Sequence, residues 1–322
     1  MLETIFILLV AFLLILACVD LFVGVSNDAV NFLNSAVGSR IAPLKIILIV
    51  ASIGVLFGAT FSSGMMEVAR SGVFHPELFS FYDVILIFFA VMVTDVILIN
   101  VFNIFGLPTS TTVSIIFELL GAAVCASAYK LYSDGQSFSE IFNYIKSDRT
   151  ATIVSGILIS VAVAFISGAI IQFILRVLFS FRFQNSYRYL GGLFTGFSLT
   201  AIIYFLVMKG AKGASFMKPE YIDFINANTT VILWTLFIGL TVLGQLLVMI
   251  GFNVFKIIIL GGTFALAFSF AGNDLVNFIR CTACRIGCLT AWTGSGNDPH
   301  LMTMEILNNN EHANSLYLVL AG

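Results

Sequence analysis

Two short segments of the sequence carry the same polar residues in the same order. Residues 26–32 read Ser-Asn-Asp-Ala-Val-Asn-Phe and residues 272–278 read Gly-Asn-Asp-Leu-Val-Asn-Phe, so each contains N-D-x-V-N-F at the end of a long apolar run. An aspartate at the centre of a bilayer costs about 2.5–3.5 kcal/mol on insertion scales, and polar clusters at that depth commonly line the path of a substrate or ion. The repetition predicts two related halves that share one site, as in many secondary transporters.

The first segment predicts a polar stripe along one face of a helix. Asn27, Asn31 and Asn34 follow the i, i+4, i+7 spacing, and Asp28 lies beside them. Amide and carboxylate oxygens suit small hard cations rather than thiophilic metals. The alternative is that these side chains only hydrogen-bond to neighbouring helices, as polar residues do in many membrane bundles. We favour a binding site, because the same residue types recur at Asn273, Asp274 and Asn277.

A break between two apolar runs supplies a second candidate, an anion site. Residues 103–108 read Asn-Ile-Phe-Gly-Leu-Pro, and a hydroxyl-rich stretch follows them. Proline and hydroxyl residues are favoured where a helix begins, and the N–H groups there attract anions. A helix broken at membrane depth is tolerated where it lines a cavity or is buried in protein. We therefore expect Ser110, Thr111 and Thr112 to hold an oxyanion.

Three further acids lie within apolar runs and leave two interpretations open. Glu118 shares a helix face with Thr111 and Ser114 at i, i+3, i+7 spacing. Glu118 either assists a cation or a proton, or it is bonded to a neighbouring helix or lies near an interface. Asp20 and Asp95 leave the same alternatives open.

The composition places these segments in a membrane. The 322 residues are 59% hydrophobic and 10% charged, against about 25% charged residues in soluble proteins. The first apolar run lacks the basic start of a secretory signal, so we expect it to remain as a mature helix. The sequence predicts an all-α polytopic membrane bundle with inverted repeats and broken or re-entrant helices. Runs long enough to span a bilayer occur near 4–25, 44–63, 83–105, 109–129, 151–179, 190–208, 229–250 and 253–272.

The remaining motifs give no sign of an enzyme or of nucleic-acid binding. Cys281, Cys284 and Cys288 lack a second cysteine pair and a zinc-type histidine spacing, so no metal centre is expected there. With three histidines, the chain offers no evident Ser-His-Asp or Cys-His set, and its net charge is −2. We expect a protein that is not an enzyme, binds no nucleic acid and uses no cofactor other than a coupling ion.

Taken together, the motifs resemble those of the inorganic phosphate transporter (PiT) family. That family carries a G-A-N-D-x-x-N signature and a P-x-S-T-T segment in each of two inverted halves. Residues 24–31 match the first signature, with Ser26 where the family often has alanine, and residues 271–277 match the second. Residues 108–112 match the P-x-S-T-T segment, and the resemblance runs from the first helix to about Phe278.

The resemblance implies cation-coupled uptake of inorganic phosphate across the plasma (inner) membrane, with sodium or protons as the coupling ion. Phosphate would lie near mid-membrane between the two halves, and a homo-oligomer is left open. The phosphate-binding residues implied are Asp28, Asn31, Ser110, Thr111, Thr112, Asp274 and Asn277. The sodium ligands implied are Asn27, Asp28, Asn273 and Asp274. Because carboxylates repel phosphate, a cation or a proton must bind with it, which is coupling in its simplest form.

One departure from the family pattern shapes the domain prediction. The P-x-S-T-T segment starts 80 residues after Asp28, and the same distance from Asp274 falls beyond the last residue. We therefore assign residues 1–250 to the first repeat and its connecting helices, and residues 251–322 to an incomplete second repeat.

Alternative functions differ in what they require of the same residues. The donors at residues 110–112 do not choose between phosphate and another oxyanion such as sulfate. A membrane enzyme acting on phosphorylated lipid head groups would need acids clustered at one membrane surface, whereas the acids here lie in two matched, distant repeats. A non-transporting fragment with a structural role is the remaining alternative.

Overall fold

Helices make up almost all of this computed structural model, which describes residues 2–61, 73–179, 183–213 and 218–272. Within these ranges the only β pairing is a single bridge between Phe74 and Ile145. In chain order the α-helices are α1 (Leu2–Gly38), α2 (Leu44–Phe61), α3 (Phe81–Phe105), α4 (Thr111–Ser133), α5 (Ile141–Tyr144), α6 (Ser147–Leu178), α7 (Phe183–Gly213), α8 (Pro219–Met249) and α9 (Val254–Gly272).

Most of these helices have the length and composition of membrane spans. Seven of the described helices are long and apolar enough to cross a bilayer, and α2 is a shorter apolar helix. Large apolar side chains cover their outer faces; Phe165 on α6, for example, is 77% exposed. Apolar surface on this scale is stable in lipid rather than in water. The chain is therefore an all-α integral membrane protein, as predicted, whereas the inverted repeats remain a prediction.

The first helix continues well beyond the apolar run that predicted it. The run indicated a helix ending near residue 25, but α1 extends to Gly38 because no proline interrupts the polar stripe. The chain turns after Gly38, where Arg40 has a positive φ of 50°, and α2 begins just after Pro43. The signature residues consequently lie inside a continuous helix, which gives them the common face that their spacing predicted.

The described chain divides into two compact units. One unit contains the described parts of residues 1–30 and 65–155, together with Gly272. The other contains the described parts of residues 31–64 and 156–271. This division does not test the repeat boundary predicted at residue 250, which stays a prediction.

In the first unit, α3 and α4 pack against each other over an apolar core. Ser80 and Asp83 begin α3 with a reciprocal capping box, in which the Asp83 carboxylate accepts from the Ser80 backbone N–H at 3.0 Å. The fully buried ring of Phe79 packs against Phe74 and Tyr144, each with ring centroids 5.5 Å apart. These contacts fix the helices that carry the candidate site.

In the second unit, small residues allow helices to approach closely. The Gly192 N–H on α7 donates to the Gln245 Oε1 on α8 at 3.2 Å, and the Gln245 amide donates to the Arg188 carbonyl at 2.9 Å. At Gly54 on α2, a Cβ would lie 2.6 Å from the Phe264 carbonyl oxygen on α9. Such contacts drive helix association in membranes, where lipid offers no hydrophobic driving force.

Candidate functional site

The predicted break between α3 and α4 is present and has a defined geometry. Gly106 ends α3 in the left-handed conformation, with φ of 66°, and the Leu107 N–H donates back to the Phe102 carbonyl at 2.9 Å. This is the usual way in which glycine terminates a helix. After Pro108, Ser110 caps α4, and its hydroxyl oxygen accepts from the Val113 N–H at 3.4 Å.

The side chain of Asn27 holds this break against α1. Its Nδ2 donates to the Asn103 Oδ1 at 2.8 Å and to the Leu107 carbonyl at 3.1 Å. Its Oδ1 accepts from the Thr109 N–H at 2.8 Å. Asn103 in turn donates to the Val23 carbonyl on α1 at 3.0 Å. Asn27 is only 4% exposed. Its side chain thus bonds the Leu107 carbonyl and the Thr109 N–H, which an unbroken helix would have bonded through its own backbone.

These bonds bear on the sodium ligand predicted at Asn27. Both amide hydrogens of Asn27 are used within the protein, while its Oδ1 accepts one hydrogen bond and retains a second lone pair. A cation could therefore take the remaining lone pair without breaking the bonds that hold the chain break. The observed role of Asn27 is to position the start of α4, and sodium coordination by Asn27 stays a prediction.

Asp28 and Thr111 connect the signature with the hydroxyl segment. The Thr111 hydroxyl donates to the Asp28 Oδ2 at 3.4 Å. Asp28 is 4% exposed and Thr111 is 1% exposed, so the contact is shielded from the surroundings. Two motifs that the sequence identified separately, 83 residues apart, are therefore neighbours in one unit of the fold.

The neighbouring hydroxyls of the segment are more accessible than Thr111. Ser110 is exposed and Thr112 is half-buried, so a ligand at the start of α4 can reach both. A helix N-terminus carries about half a positive charge and favours an anion. The segment 110–112 thus offers hydroxyl donors and a positive dipole end beside a buried carboxylate.

The three isolated acids of the sequence analysis also come together. Asp95 on α3 faces Asp20 on α1 and both Ser114 and Glu118 on α4. The Ser114 hydroxyl donates to the Glu118 Oε1 at 2.8 Å. The sequence did not predict this grouping, although a signal exists: Asp20 precedes Asp28 by eight residues and Glu118 follows Thr111 by seven. Each therefore lies about two helical turns from the Asp28–Thr111 contact.

The other predicted site residues fall in two groups. Asn31 lies one turn after Asn27 on α1 and is exposed. The second signature, with Asn273, Asp274 and Asn277, lies outside the residues that the structure describes, as does the cysteine-containing stretch after it. Of the predicted site residues, the structure therefore describes those on α1, at the chain break and on α4.

Comparisons with known proteins identify the family of the chain. The sequence profile described as "Phosphate transporter family" matches residues 24–304. A Thermococcus kodakarensis protein named "Putative phosphate permease TK2061" is 27% identical over 125 residues. That match covers 38% of this chain and 30% of that protein, so the chain spans less than a third of the curated relative it matches.

The fold has a counterpart among solved structures. A solved structure named "The sodium-dependent phosphate transporter" superposes on 97% of this chain and 73% of its own, with a TM-score of 0.66 and 15% identity. At that identity the similarity establishes the fold only. The family profile, by contrast, spans most of the sequence and both of its signature segments. The chain therefore belongs to the phosphate transporter family.

Proposed function

We propose that this chain binds inorganic phosphate at the start of α4 and takes part in cation-coupled phosphate transport across the plasma (inner) membrane. The observation that carries the proposal is the contact between Asp28 and Thr111, because it joins the signature to the hydroxyl segment at a helix N-terminus. Membership of the phosphate transporter family supports the choice of substrate.

Each part of the site has a distinct role in this proposal. Hydroxyl and N–H groups at the start of α4 donate to phosphate oxygens, and Asn27 keeps that segment in place. The proposed phosphate ligands are Asp28, Asn31, Ser110, Thr111, Thr112, Asp274 and Asn277. The proposed sodium ligands are Asn27, Asp28, Asn273 and Asp274.

The buried carboxylate of Asp28 makes binding of a cation or proton necessary. Two unit negative charges 4 Å apart repel by about 4 kcal/mol at an effective dielectric constant of 20. That energy corresponds to roughly a thousandfold in affinity, so phosphate binds well only when positive charge accompanies it. Sodium is the first ion to test, because the structural neighbour is named as a sodium-dependent transporter.

The same carboxylate favours phosphate over sulfate. At neutral pH phosphate keeps at least one P–O–H group, which can donate a hydrogen bond to Asp28, whereas sulfate has no hydrogen to donate. Because sulfate offers no hydrogen-bond donor, its contact with the Asp28 carboxylate is only repulsive. Binding sites that accept a hydrogen bond from their substrate reject analogues that lack the donor group. The Asp28 position, rather than the hydroxyls, thus provides the selectivity.

Uptake by proteoliposomes tests the proposal. The full chain should accumulate radiolabelled phosphate under an inward sodium or proton gradient, and unlabelled phosphate should compete while a large excess of sulfate should not. Asp28→Asn should lose this selectivity. Asp148→Asn, at an exposed position in the first turn of α6, is the matched control and should behave as wild type. Equal competition by sulfate and phosphate in the wild type would contradict the proposal.

A further inference from the structure

A buried group of acids lies in the first unit, apart from the proposed phosphate ligands. Asp20 comes from α1, Asp95 from α3, and Ser114 and Glu118 from α4. Asp20 and Asp95 are both 0% exposed. In this group, the acid cluster, Glu118 lies about two helical turns, or roughly 10 Å, along α4 from Thr111.

Asp95 is the most informative member of the acid cluster. Neither of its carboxylate oxygens makes a hydrogen bond to any residue that the structure describes. Its side chain faces Asp20, Ser114 and Glu118. Glu118 has one oxygen bonded by the Ser114 hydroxyl, while its Oε2 is buried without a hydrogen bond in the described chain. An ionised carboxylate in this position would be desolvated without compensation.

No basic side chain on these three helices lies close enough to neutralise the acid cluster. The only lysine or arginine on α1, α3 and α4 is Lys130. It lies 12 residues beyond Glu118 on α4, about 18 Å along the helix axis, and donates to the Leu78 carbonyl at 2.7 Å. The remaining charged residues on these helices are acidic: Glu3, Asp28 and Asp83.

Among the described residues of these three helices, no side chain therefore supplies a positive charge to Asp95 and Glu118. Among the described residues, no three acidic, histidine or cysteine side chains are arranged to hold a metal ion. A proton requires fewer ligands than a metal ion, because it adds to one carboxylate oxygen and then donates to a neighbouring carboxylate. Asp95 and Glu118 are interacting neighbours, and the oxygens Oδ1 and Oδ2 of Asp95 and Oε2 of Glu118 are buried without a hydrogen bond in the described chain. Like carboxylates in close contact commonly share one proton.

We propose that Asp20, Asp95 and Glu118, with Ser114, form a proton-binding site, in which Asp95 and Glu118 share a proton taken from water. Ser114 fixes Glu118 by donating to Oε1, so the shared proton lies between Asp95 and Oε2 of Glu118. Because Ser114 and Glu118 are on the same helix as the hydroxyl segment, loss of the proton places negative charge near the bound phosphate. This last link rests on the proposed function, whereas proton binding by the acid cluster does not.

Infrared spectroscopy of the purified full chain tests proton binding without any phosphate. A protonated carboxylic acid absorbs apart from a carboxylate, so the wild type at neutral pH should show a carboxylic-acid band. Asp95→Asn or Glu118→Gln should reduce that band, and Asp148→Asn should leave it unchanged. Glu118→Gln keeps the acceptor of the Ser114 bond, so it serves as the deciding variant if Asp95→Asn fails to fold.

Three results would overturn the inference. The first is the absence of a carboxylic-acid band in the wild type at neutral pH. The second is a band of wild-type strength in both folded variants, or in Glu118→Gln if Asp95→Asn does not fold. The third is loss of the wild-type band when sodium replaces choline in the buffer, since this would identify a sodium site instead. None of these results depends on phosphate transport, so failure of the proton site and failure of the proposed function are distinguishable.

Discussion

Thr111 on α4 donates its hydroxyl hydrogen to the carboxylate of Asp28 on α1 at 3.4 Å, across 83 residues of sequence. Both side chains are almost fully buried. A long hydrogen bond of this kind is easily exchanged for a better one. The Thr111 hydroxyl can therefore turn from Asp28 to a bound phosphate when a cation or proton occupies the carboxylate.

Removing hydroxyls from the start of α4 should weaken phosphate binding. Thr111→Val and Thr112→Val together preserve the side-chain shapes and delete two donors. A hydrogen bond to a charged ligand contributes about 1.5–3 kcal/mol, so phosphate affinity should fall at least about tenfold. Equilibrium binding of radiolabelled phosphate to the purified chain measures the change.

The matched control is Thr235→Val, on the exposed face of α8, where the hydroxyl only bonds the Val231 carbonyl of its own helix. It should bind phosphate as wild type does. If the double variant matches this control, the hydroxyl segment is not the anion site.

Replacing Asn27 should destabilise the first unit as well as the site. Asn27→Ala leaves Leu107, Thr109 and Asn103 without the partners described above. Each buried polar group left unsatisfied costs about 1–3 kcal/mol, so the free energy of unfolding should fall by at least about 2 kcal/mol. Denaturant titration of the detergent-solubilised protein measures the loss.

Asn228→Ala provides the comparison for Asn27, because the Asn228 amide bonds only the Phe224 carbonyl of its own helix. Its effect should stay within about 0.5 kcal/mol, as for surface substitutions in general. Equal losses in the two variants would mean that Asn27 does not hold the break.

Gly54 should tolerate no side chain. A Cβ at Gly54 would lie 2.6 Å from the Phe264 carbonyl oxygen, which is backbone and cannot rotate away. Overpacking of this kind costs about 1–3 kcal/mol, so Gly54→Ala should lower the melting temperature. Gly121→Ala on α4 meets nothing within 4 Å and should stabilise its helix by up to about 1 kcal/mol. A melting temperature for Gly54→Ala at or above that of Gly121→Ala would show that α2 and α9 do not pack as described.

The acid cluster predicts the direction of a pH dependence. When the cluster loses its proton as pH rises, a negative charge appears about 10 Å from bound phosphate, and the repulsion is about 1.7 kcal/mol at an effective dielectric constant of 20. Phosphate affinity should therefore fall more than tenfold as pH rises through the titration of the cluster. Glu118→Gln should reduce this dependence, and the titration of phosphate itself is the same in both proteins. Identical pH profiles of phosphate binding in the wild type and in Glu118→Gln would show that the charge of the acid cluster does not affect phosphate binding.

The fold could be predicted from the sequence where the signal is local. Apolar runs indicated the spanning helices, and glycine followed by proline indicated the break before Ser110. The end of α1 was predicted too early, because hydropathy falls at Asn27 while the helical conformation continues to Gly38. At this end of α1, the helical spacing of Asn27, Asn31 and Asn34 was a better guide to the extent of the helix than hydropathy.

The acid cluster could not be predicted, because it depends on how three helices pack. Asp20, Asp95 and Glu118 are far apart in sequence, and each alone fits a structural role. The bonds from Asn27 to Leu107 and Thr109 are likewise set by tertiary packing. Residue types identified the candidates, and only the packing of α1 against the break and α4 identified their partners.

The most direct test of the central claim measures phosphate binding to the purified chain, wild type and Asp28→Asn, across a range of sodium concentrations and pH. We predict that wild-type affinity rises with sodium concentration or with falling pH, because Asp28 needs a compensating charge beside phosphate. In Asp28→Asn, which is nearly isosteric and uncharged, this dependence should weaken. An Asp28→Asn protein with the same dependence on sodium and pH as the wild type would contradict the proposed role of Asp28 in coupling.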